Sequence, residues 1–405
     1  MDNNNEKSLI KRNRKKIIFC LLILFVIGFL LIAEYILKNT DLLLFNTRVK
    51  ILNKGGSERY IVLREHRPLQ SSKVYTSATV GKYSLVRLDE NGFVIPSKVH
   101  NDPDIKMVFL GDSTTLVENA QEDKRFPYLV GRILEEKTGK KINSYNGAGN
   151  GNNSLHSINI LLNKVLPLKP DFVVLMEVGM DLGVLVDNNT YWNKIEDRAP
   201  VIEIDNNFIK KLIIRKIKHI LPNVGNEIQC FVDFIKGHYI HRQNKVSPSI
   251  INATDESAKK QQKEKTVDPQ YICHEYEMNL QTFINICKAR NITPVLMTQG
   301  NMFRDEETAS KDKDSEIYKK LLRDAESLGM TFTQSNNLYF KFNQIIRDIG
   351  KKNNILVIDL DREIPKDDTN FCDAVHFKQK GSILAADIIS NAFLADNNFK
   401  QLIKK

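Results

Sequence analysis

Five cysteines in 405 residues are too few and too scattered for a disulfide scaffold. Cys20 lies inside an apolar run, and Cys273 and Cys287 share one helical pattern. At their spacing a helix separates that pair by roughly 21 Å, beyond the reach of a disulfide. A bridge through Cys230 stays open. The histidines His238, His241 and His274 lack the tight spacing of a zinc site, so no metal is expected. Internal repeats are absent. The formal net charge is +10, but six Lys/Arg against two acids in residues 1–16 account for +4 of it. The rest is diffuse, with no basic helix interleaved with aromatics, which argues against a nucleic-acid partner.

Long apolar runs are also scarce, with one exception. IIFCLLILFVIGFLLIA (Ile17–Ala33) is unbroken and continues past Glu34 into YIL. About 20 such residues cross a bilayer. No small-x-small cleavage site follows, and three apolar residues between Lys16 and Cys20 leave no room for a lipoprotein box. The expectation is an uncleaved transmembrane anchor over 17–37 behind a basic cytoplasmic tail of 1–16. Lys/Arg on the N-terminal flank then put the remaining chain outside the cytoplasm.

Residues 38–104 alternate short apolar and polar pieces and read as a strand-rich lead-in. From Lys106 the rhythm changes to strands alternating with helices. KMVFLG, KINSYNG, DFVVLMEVG, ITPVLMTQG and ILVIDLD are strand-like. FPYLVGRILEEKTG, LHSINILLNKVLP, YEMNLQTFINICKARN, NLYFKFNQIIRDIGKKN and KGSILAADIISNAFL are helical. That alternation predicts βαβ units and a parallel α/β sheet over 105–395. Residues 188–270 interrupt it as an insertion. Its stretch NNFIKKLIIRKIKHILP aligns Phe208, Leu212, Ile213, Ile217 and Ile220 on one helical face, suited to packing on the domain or to lying on a membrane surface. Residues 242–268 lack aromatics and periodicity and read as a mobile loop.

In an open parallel sheet, ligands gather beyond the carboxyl ends of the strands. The first strand here ends in Gly111-Asp112-Ser113, and the second leads into NGAGNGNNS (Asn146–Ser154). The third ends in Gly179-Met180-Asp181, the fourth in TQGN, and the last leads to FCDAVHF with Asp373 and His376. A serine hydroxyl needs an adjacent base to act as a nucleophile. His376 can be that base if Asp373, three residues earlier on a helical turn, holds its other ring nitrogen. The glycine-rich stretch offers backbone N–H groups to a developing oxyanion. It lacks the Lys-Ser/Thr ending of a nucleotide-hydrolase loop, so no nucleotide is implied. Cys372 beside Asp373 has no second base and reads as a packing residue. No cofactor is expected.

GDS near the start, an Asn-x-x-x-x-Gly block after the second strand, and Asp-x-x-His near the end together resemble the SGNH (GDSL-type) hydrolase family. The resemblance runs from about Lys106 to Leu394, outside the insertion. It implies a flavodoxin-like three-layer α/β/α sandwich and metal-free cleavage or transfer of acyl groups. It further implies Ser113 as nucleophile, the backbone N–H groups of Ser113 and Gly151 as oxyanion donors, and Asp373 and His376 as the triad partners. LDENGFVIP upstream of GDSTT is similar to membrane-anchored bacterial members associated with extracellular polysaccharides, which implies an acyl ester or glycan substrate. One position departs from the pattern. The family's third block reads Gly-x-Asn-Asp, but this chain has VGMD, with Met180 where the donating Asn belongs. A thioether donates no hydrogen bond. Asn152, Asn153 and Asn301 are candidate substitutes. Two functions are therefore expected: an anchored serine esterase or O-acyltransferase, or a catalytically silent binding or scaffold subunit of an envelope assembly. Nothing in the pattern bears on oligomeric state.

Overall fold

The computed structural model describes residues 3–39, 58–61, 64–75, 83–192, 201–204, 268–304, 316–327 and 330–404. The chain divides into two compact units, Met1–Glu58 and Arg59–Lys405. The described part of the first is essentially one helix, α1 (Asn3–Asn39). Within it Ile18–Ile36 has a mean hydropathy of 2.7 and buries none of its residues. Nineteen helical residues span roughly 28 Å, so the segment is long and apolar enough to cross a bilayer core of about 30 Å.

Ahead of the alternating region the second unit holds an antiparallel pair, β1 (Ser71–Val74) and β2 (Ser84–Arg87), with Ser71 opposite Arg87. The alternating region follows: β3 (Ile105–Gly111), α2 (Ser113–Leu116), α3 (Phe126–Thr138), β4 (Ile142–Asn146), α4 (Ser154–Ile160), β5 (Phe172–Met176) and α5 (Gly179–Asn188). After the insertion come α6 (Pro269–Ala289), β6 (Thr293–Met297), α7 (Glu316–Ser327), α8 (Phe332–Asn353), β7 (Val357–Ile358), α9 (Leu360–Glu363), α10 (Gln379–Ala395) and α11 (Asn397–Ile403). The five strands β4-β3-β5-β6-β7 form one parallel sheet. Numbered along the chain this is the order 2-1-3-4-5, the flavodoxin-like doubly wound sheet.

Burial explains why the strands read as nearly continuous apolar runs. Side chains alternate across a strand, and here both faces are covered. Met107 and Phe109 of β3 join a core with Phe126, Val130 and Leu134 of α3 and Ile389 and Phe393 of α10. Val108 and Leu110 point the other way, into a core with Ile158 of α4, Phe283 of α6 and Phe342 of α8. The result is the expected three-layer sandwich.

Several details differ from the sequence reading. The helix expected up to Pro167 leaves α geometry after Ile160, where Leu161–Val165 form a π-turn and Leu166–Leu168 a 3-10 turn. Proline lacks an N–H and its ring crowds the carbonyl four residues back, so the ladder widens ahead of it. Gly179-Met180-Asp181, expected as the end of the third strand, opens helix α5, and the strand stops at Met176. Helix α6 begins at Pro269, capped by the Asp268 side chain, which accepts from Gln270 N at 2.9 Å. The basic stretch 206–222 and the loop at 242–268, apart from Asp268, lie outside the described residues.

The lead-in is stitched to the sheet. Val94 N donates to Asn146 O (2.9 Å) at the end of β4, and the Phe93 ring packs on Tyr145 with centroids 5.1 Å apart. Arg125, fully buried, donates from Nε to Val117 O (3.2 Å) and also bonds Leu85 O on β2. These contacts bring the lead-in to the carboxyl ends of β3 and β4.

Candidate active site

Strand β3 delivers its last residues onto a bend because no side chain fits there. A Cβ on Gly111 would stand 2.7 Å from Met176 O and from Thr115 Cβ. Asp112 then caps the short helix α2, its Oδ1 accepting from Thr114 N at 2.7 Å. Ser113 is the first residue of that helix, at the carboxyl end of β3. Ser113 Oγ lies 2.7 Å from His376 Nε2. His376 Nδ1 lies 2.9 Å and 2.8 Å from the two carboxylate oxygens of Asp373. Residues 263 positions apart are thus joined in one hydrogen-bonded chain.

Asp373 and His376 meet by a different local route from the one expected. They lie on an Asx turn, not a helical turn: Asp373 Oδ1 accepts from Val375 N (2.9 Å) and His376 N (2.8 Å). An antiparallel bridge between Phe371 and Phe377 closes the turn. One carboxylate therefore orients both the backbone and the imidazole, and its side chain is only 5% exposed. Cys372 takes a place in the same turn, its Sγ receiving Asn119 Nδ2 at 3.3 Å. Among the described residues Cys273, Cys287 and Cys372 form no disulfide, and no His/Cys/Asp/Glu group has the form of a metal site.

The glycine-rich loop runs alongside. Gly147 N donates to Phe109 O (2.8 Å) and Gly149 N to Gly111 O (3.0 Å), which holds the loop against the end of β3. Gly151 adopts a left-handed φ of 72°, a conformation that favours glycine. The N–H groups of Ser113, Asn150 and Gly151 have no acceptor among the described residues. Two of these belong to the residues expected to donate to an oxyanion.

The proposed substitutes for the missing asparagine divide. Asn301 has both amide hydrogens engaged, with Gln299 O (2.9 Å) and Asp361 Oδ1 (2.7 Å). Asn153 caps α4 through its oxygen, accepting from His156 N at 3.1 Å, and its Nδ2 is buried without a partner among the described residues. Asn152 is fully buried and neither of its side-chain amide atoms has a partner among the described residues. It lies over Gly149, where a Cβ would meet its Nδ2 at 3.0 Å. Met180 is half-buried in the first turn of α5.

A buried polar layer beneath the site escaped the sequence reading. Gln299 Nε2 donates to Thr114 Oγ1 (2.8 Å), while its Oε1 accepts from Gly179 N (3.0 Å) and from Tyr339. Asp181 accepts from Ser154 N (3.0 Å) and Tyr191 Oη (2.6 Å), and also binds Ser154 Oγ. Glu177 accepts from Ser157 Oγ (2.7 Å), but its Oε2 has no partner among the described residues. Burial raises all three carboxyls of this layer: Asp112 upward, Glu177 well above its ordinary value, and Asp181 up to about 6. Poor solvation in this layer disfavours the charged carboxylate relative to the acid. His156 moves the other way, down to about 4, through burial and then the charge of Arg64. Its Nδ1 accepts from Asn153 N at 3.3 Å, as a neutral ring must. Of these residues Asp112, Ser154, Asp181 and Gln299 carried a positional signal in the sequence, as members of the strand-end stretches, whereas Glu177, Tyr191 and Tyr339 carried none. Arg64 carried none.

No protein-family model matches this sequence, and no curated protein does. Among solved structures the chain is similar to the acetyl xylan esterase AlAXEase, at 16% identity over 71% of this chain and 99% of that one, with a TM-score of 0.39. It is similar to a lipase/acylhydrolase from Enterococcus faecalis at 15% identity, over 71% and 94% of the two chains, with a TM-score of 0.37. It is also similar to Axe2, an acetylxylan esterase from Geobacillus stearothermophilus, at 15% identity over 74% and 94%, with a TM-score of 0.37. Likenesses this remote bear on neither the substrate nor the chemistry of this chain. Its own strand order makes it a flavodoxin-like α/β/α sandwich, the fold that the SGNH resemblance implies, with Ser113, His376 and Asp373 in hydrogen-bond contact at the carboxyl ends of the strands.

Proposed function

We propose that this chain is a serine esterase or O-acyltransferase of SGNH type, anchored to a membrane by its N-terminal helix. The observation that carries the reading is the 2.7 Å contact between Ser113 Oγ and His376 Nε2, backed by the 2.8 Å contact of His376 Nδ1 with Asp373. His376 takes the hydroxyl proton as Ser113 Oγ attacks the ester carbonyl, and Asp373 steadies the imidazolium. The N–H groups of Ser113 and Gly151 are the donors assigned to the tetrahedral oxyanion. His376 returns its proton to the leaving alkoxide, which departs as an alcohol and leaves an acyl-serine. Water then yields the free acid, or a sugar hydroxyl yields a new ester. No step calls for a metal.

The substrate class proposed is a carbohydrate-linked ester, on the resemblance carried by LDENGFVIP. The proposed arrangement is a cytoplasmic tail (1–16), an anchor (17–37), a lead-in (38–104) and an extracytoplasmic hydrolase-like domain (105–395). The exposed apolar surface of Ile18–Ile36 and the basic residues before it support that orientation. A reporter fused after Lys405 is expected to be active only outside the cytoplasm. Activity inside would reverse the topology, and loss of residues 1–37 from the mature chain would make the helix a signal sequence.

Met180 favours a second reading, a catalytically silent binding or scaffold subunit, because one oxyanion donor is typically worth about 10²–10³ in rate. The test is hydrolysis of p-nitrophenyl acetate by the full chain in detergent and by Ser113→Ala, alongside labelling with a serine-reactive fluorophosphonate. Turnover and labelling that vanish in the variant are expected. Equal rates in both proteins, without labelling, would leave the silent reading.

A further inference from the structure

Arg64 belongs to the lead-in, far from every motif of the sequence, yet its side chain ends on the glycine-rich loop. Nε and Nη2 both donate to Asn150 O, at 3.1 Å and 2.9 Å. At the next residue, Gly151, a Cβ would stand 2.6 Å from Nη2, 3.4 Å from Cζ and 3.7 Å from Nε. The guanidinium therefore occupies the place where any other residue would carry its side chain. Glycine at 151 serves this approach as well as its left-handed φ of 72°. Two N–H groups here, those of Asn150 and Gly151, have no acceptor among the described residues. A fixed cation lies beside them.

The segment bearing Arg64 is itself seated. Gly92 packs on the backbone of the neighbouring His66, where a Cβ would lie 2.8 Å from His66 O. Lys164 ties the pieces together, donating to Gly92 O (2.7 Å) and pairing with Glu65 (3.5 Å). Its ammonium also sits 4.3 Å from the centre of the Phe93 ring.

We propose that Arg64 is a positioning residue for the esterase chemistry: it clamps the loop at Asn150 and fixes the Gly151 N–H, a donor that carries more of the oxyanion because Met180 supplies none. The proposal rests on Ser113 being the nucleophile. A donor held in place for a developing oxyanion lowers the barrier without reorganising during the reaction, so the clamp acts on the transition state rather than on substrate binding. It also makes a statement about coupling: Arg64 and an asparagine at 180 are alternative supports for one oxyanion, so their effects are not additive.

The test is a double-mutant cycle on the full chain in detergent, with p-nitrophenyl acetate as substrate. Arg64→Ala is expected to lower kcat by about 10–100-fold with KM nearly unchanged. Met180→Asn is expected to raise the rate of Arg64→Ala by about tenfold or more, and by a clearly larger factor than it raises the wild-type rate. A purely structural role for Arg64 would not be relieved by a new donor on another helix. If Arg64→Ala does not fold, Arg64→Lys takes its place in the cycle. It keeps the charge without the two-pronged grip, so a loss of about threefold that Met180→Asn restores is expected. Wild-type kcat in the Arg64 variant, or a double variant no faster than the single one, overturns the proposal. Ser113→Ala separates the two levels: if it is inert while Arg64→Ala is unimpaired, only the role of Arg64 falls. If Ser113→Ala keeps the wild-type rate, the esterase reading falls first.

Discussion

Replacing Gly381 by alanine tests whether helix α10 holds the loop that carries Asp373 and His376. Gly381 sits in the first turn of α10 against the backbone of Asn370, three residues before Asp373. A Cβ there would stand 2.9 Å from the carbonyl carbon and 3.0 Å from the Cα of Asn370, and nearer still to its carbonyl oxygen. Those carbon contacts fall roughly 0.5–1 Å short of the 3.5–4.0 Å optimum. Backbone, not a flexible side-chain tip, is what must move. The same carbonyl accepts from Lys378 N at 2.8 Å, so displacing it also disturbs the other end of the loop. Overpacking of this kind costs about 1–3 kcal/mol, and a shift of about 1 Å in reacting groups can cost about 10² in rate. Gly381→Ala is therefore expected to remain folded, with Tm lower by roughly 2–4 °C per kcal/mol, while ester turnover falls by about 10²-fold. Gly139→Ala is the control. Its left-handed φ of 72° makes the substitution strained, at about 1–2 kcal/mol, but nothing lies within 4 Å and the residue only caps α3. It should lose similar stability and keep its rate. Equal turnover in wild type and Gly381→Ala, or equal losses in both glycine variants, would refute the reasoning.

Glu177→Gln should flatten the dependence of stability on pH. Burial holds the Glu177 carboxyl well above 4.5, so above that pH the folded state binds a proton that the unfolded chain releases. Stability then falls as pH rises from about 4.5 towards the folded value, and thermal melts from pH 5 to 8 should show this slope in the wild type and a smaller one in the variant. An unchanged slope would mean another group carries it. Asp361→Asn should be severe. Its carboxylate bonds Arg347 at 2.6 Å and Lys366 at 2.9 Å with a side chain only 6% exposed. Although burial opposes ionisation, Lys366 and Arg347 hold its pKa below 3.8, so this contribution is present at neutral pH and is lost on acidification below that value. Removing one partner of a buried pair costs about 3–5 kcal/mol. Urea melts showing less than about 1 kcal/mol at pH 7 would contradict the pairing.

The sequence by itself determined the layers of the fold and the elements on which the chemistry would be sought. Periodicity is local, and a strand buried on both faces must be apolar at nearly every position, so KMVFLG and DFVVLMEVG were legible as strands of a parallel sheet. Punctuation is local too: Pro127 and Gly139 bracket α3 as expected. Because a parallel sheet collects its strand ends on one rim, Ser113, the Gly151 loop and the Asp373–His376 pair could be assigned to one neighbourhood before any coordinates. What tertiary structure alone decided is everything that depends on distance across the chain. The 2.7 Å contact of Ser113 with His376 is one such feature. The Asx turn that replaces a helical turn at Asp373, the commitment of Asn301 to Gln299 and Asp361, and the buried layer of Asp112, Glu177 and Asp181 are others. Arg64 is the extreme case, because a guanidinium lying against a glycine 87 positions later leaves no local trace. Local preferences choose helix, strand or turn, whereas a hydrogen bond between remote side chains is fixed only once the core has packed around both.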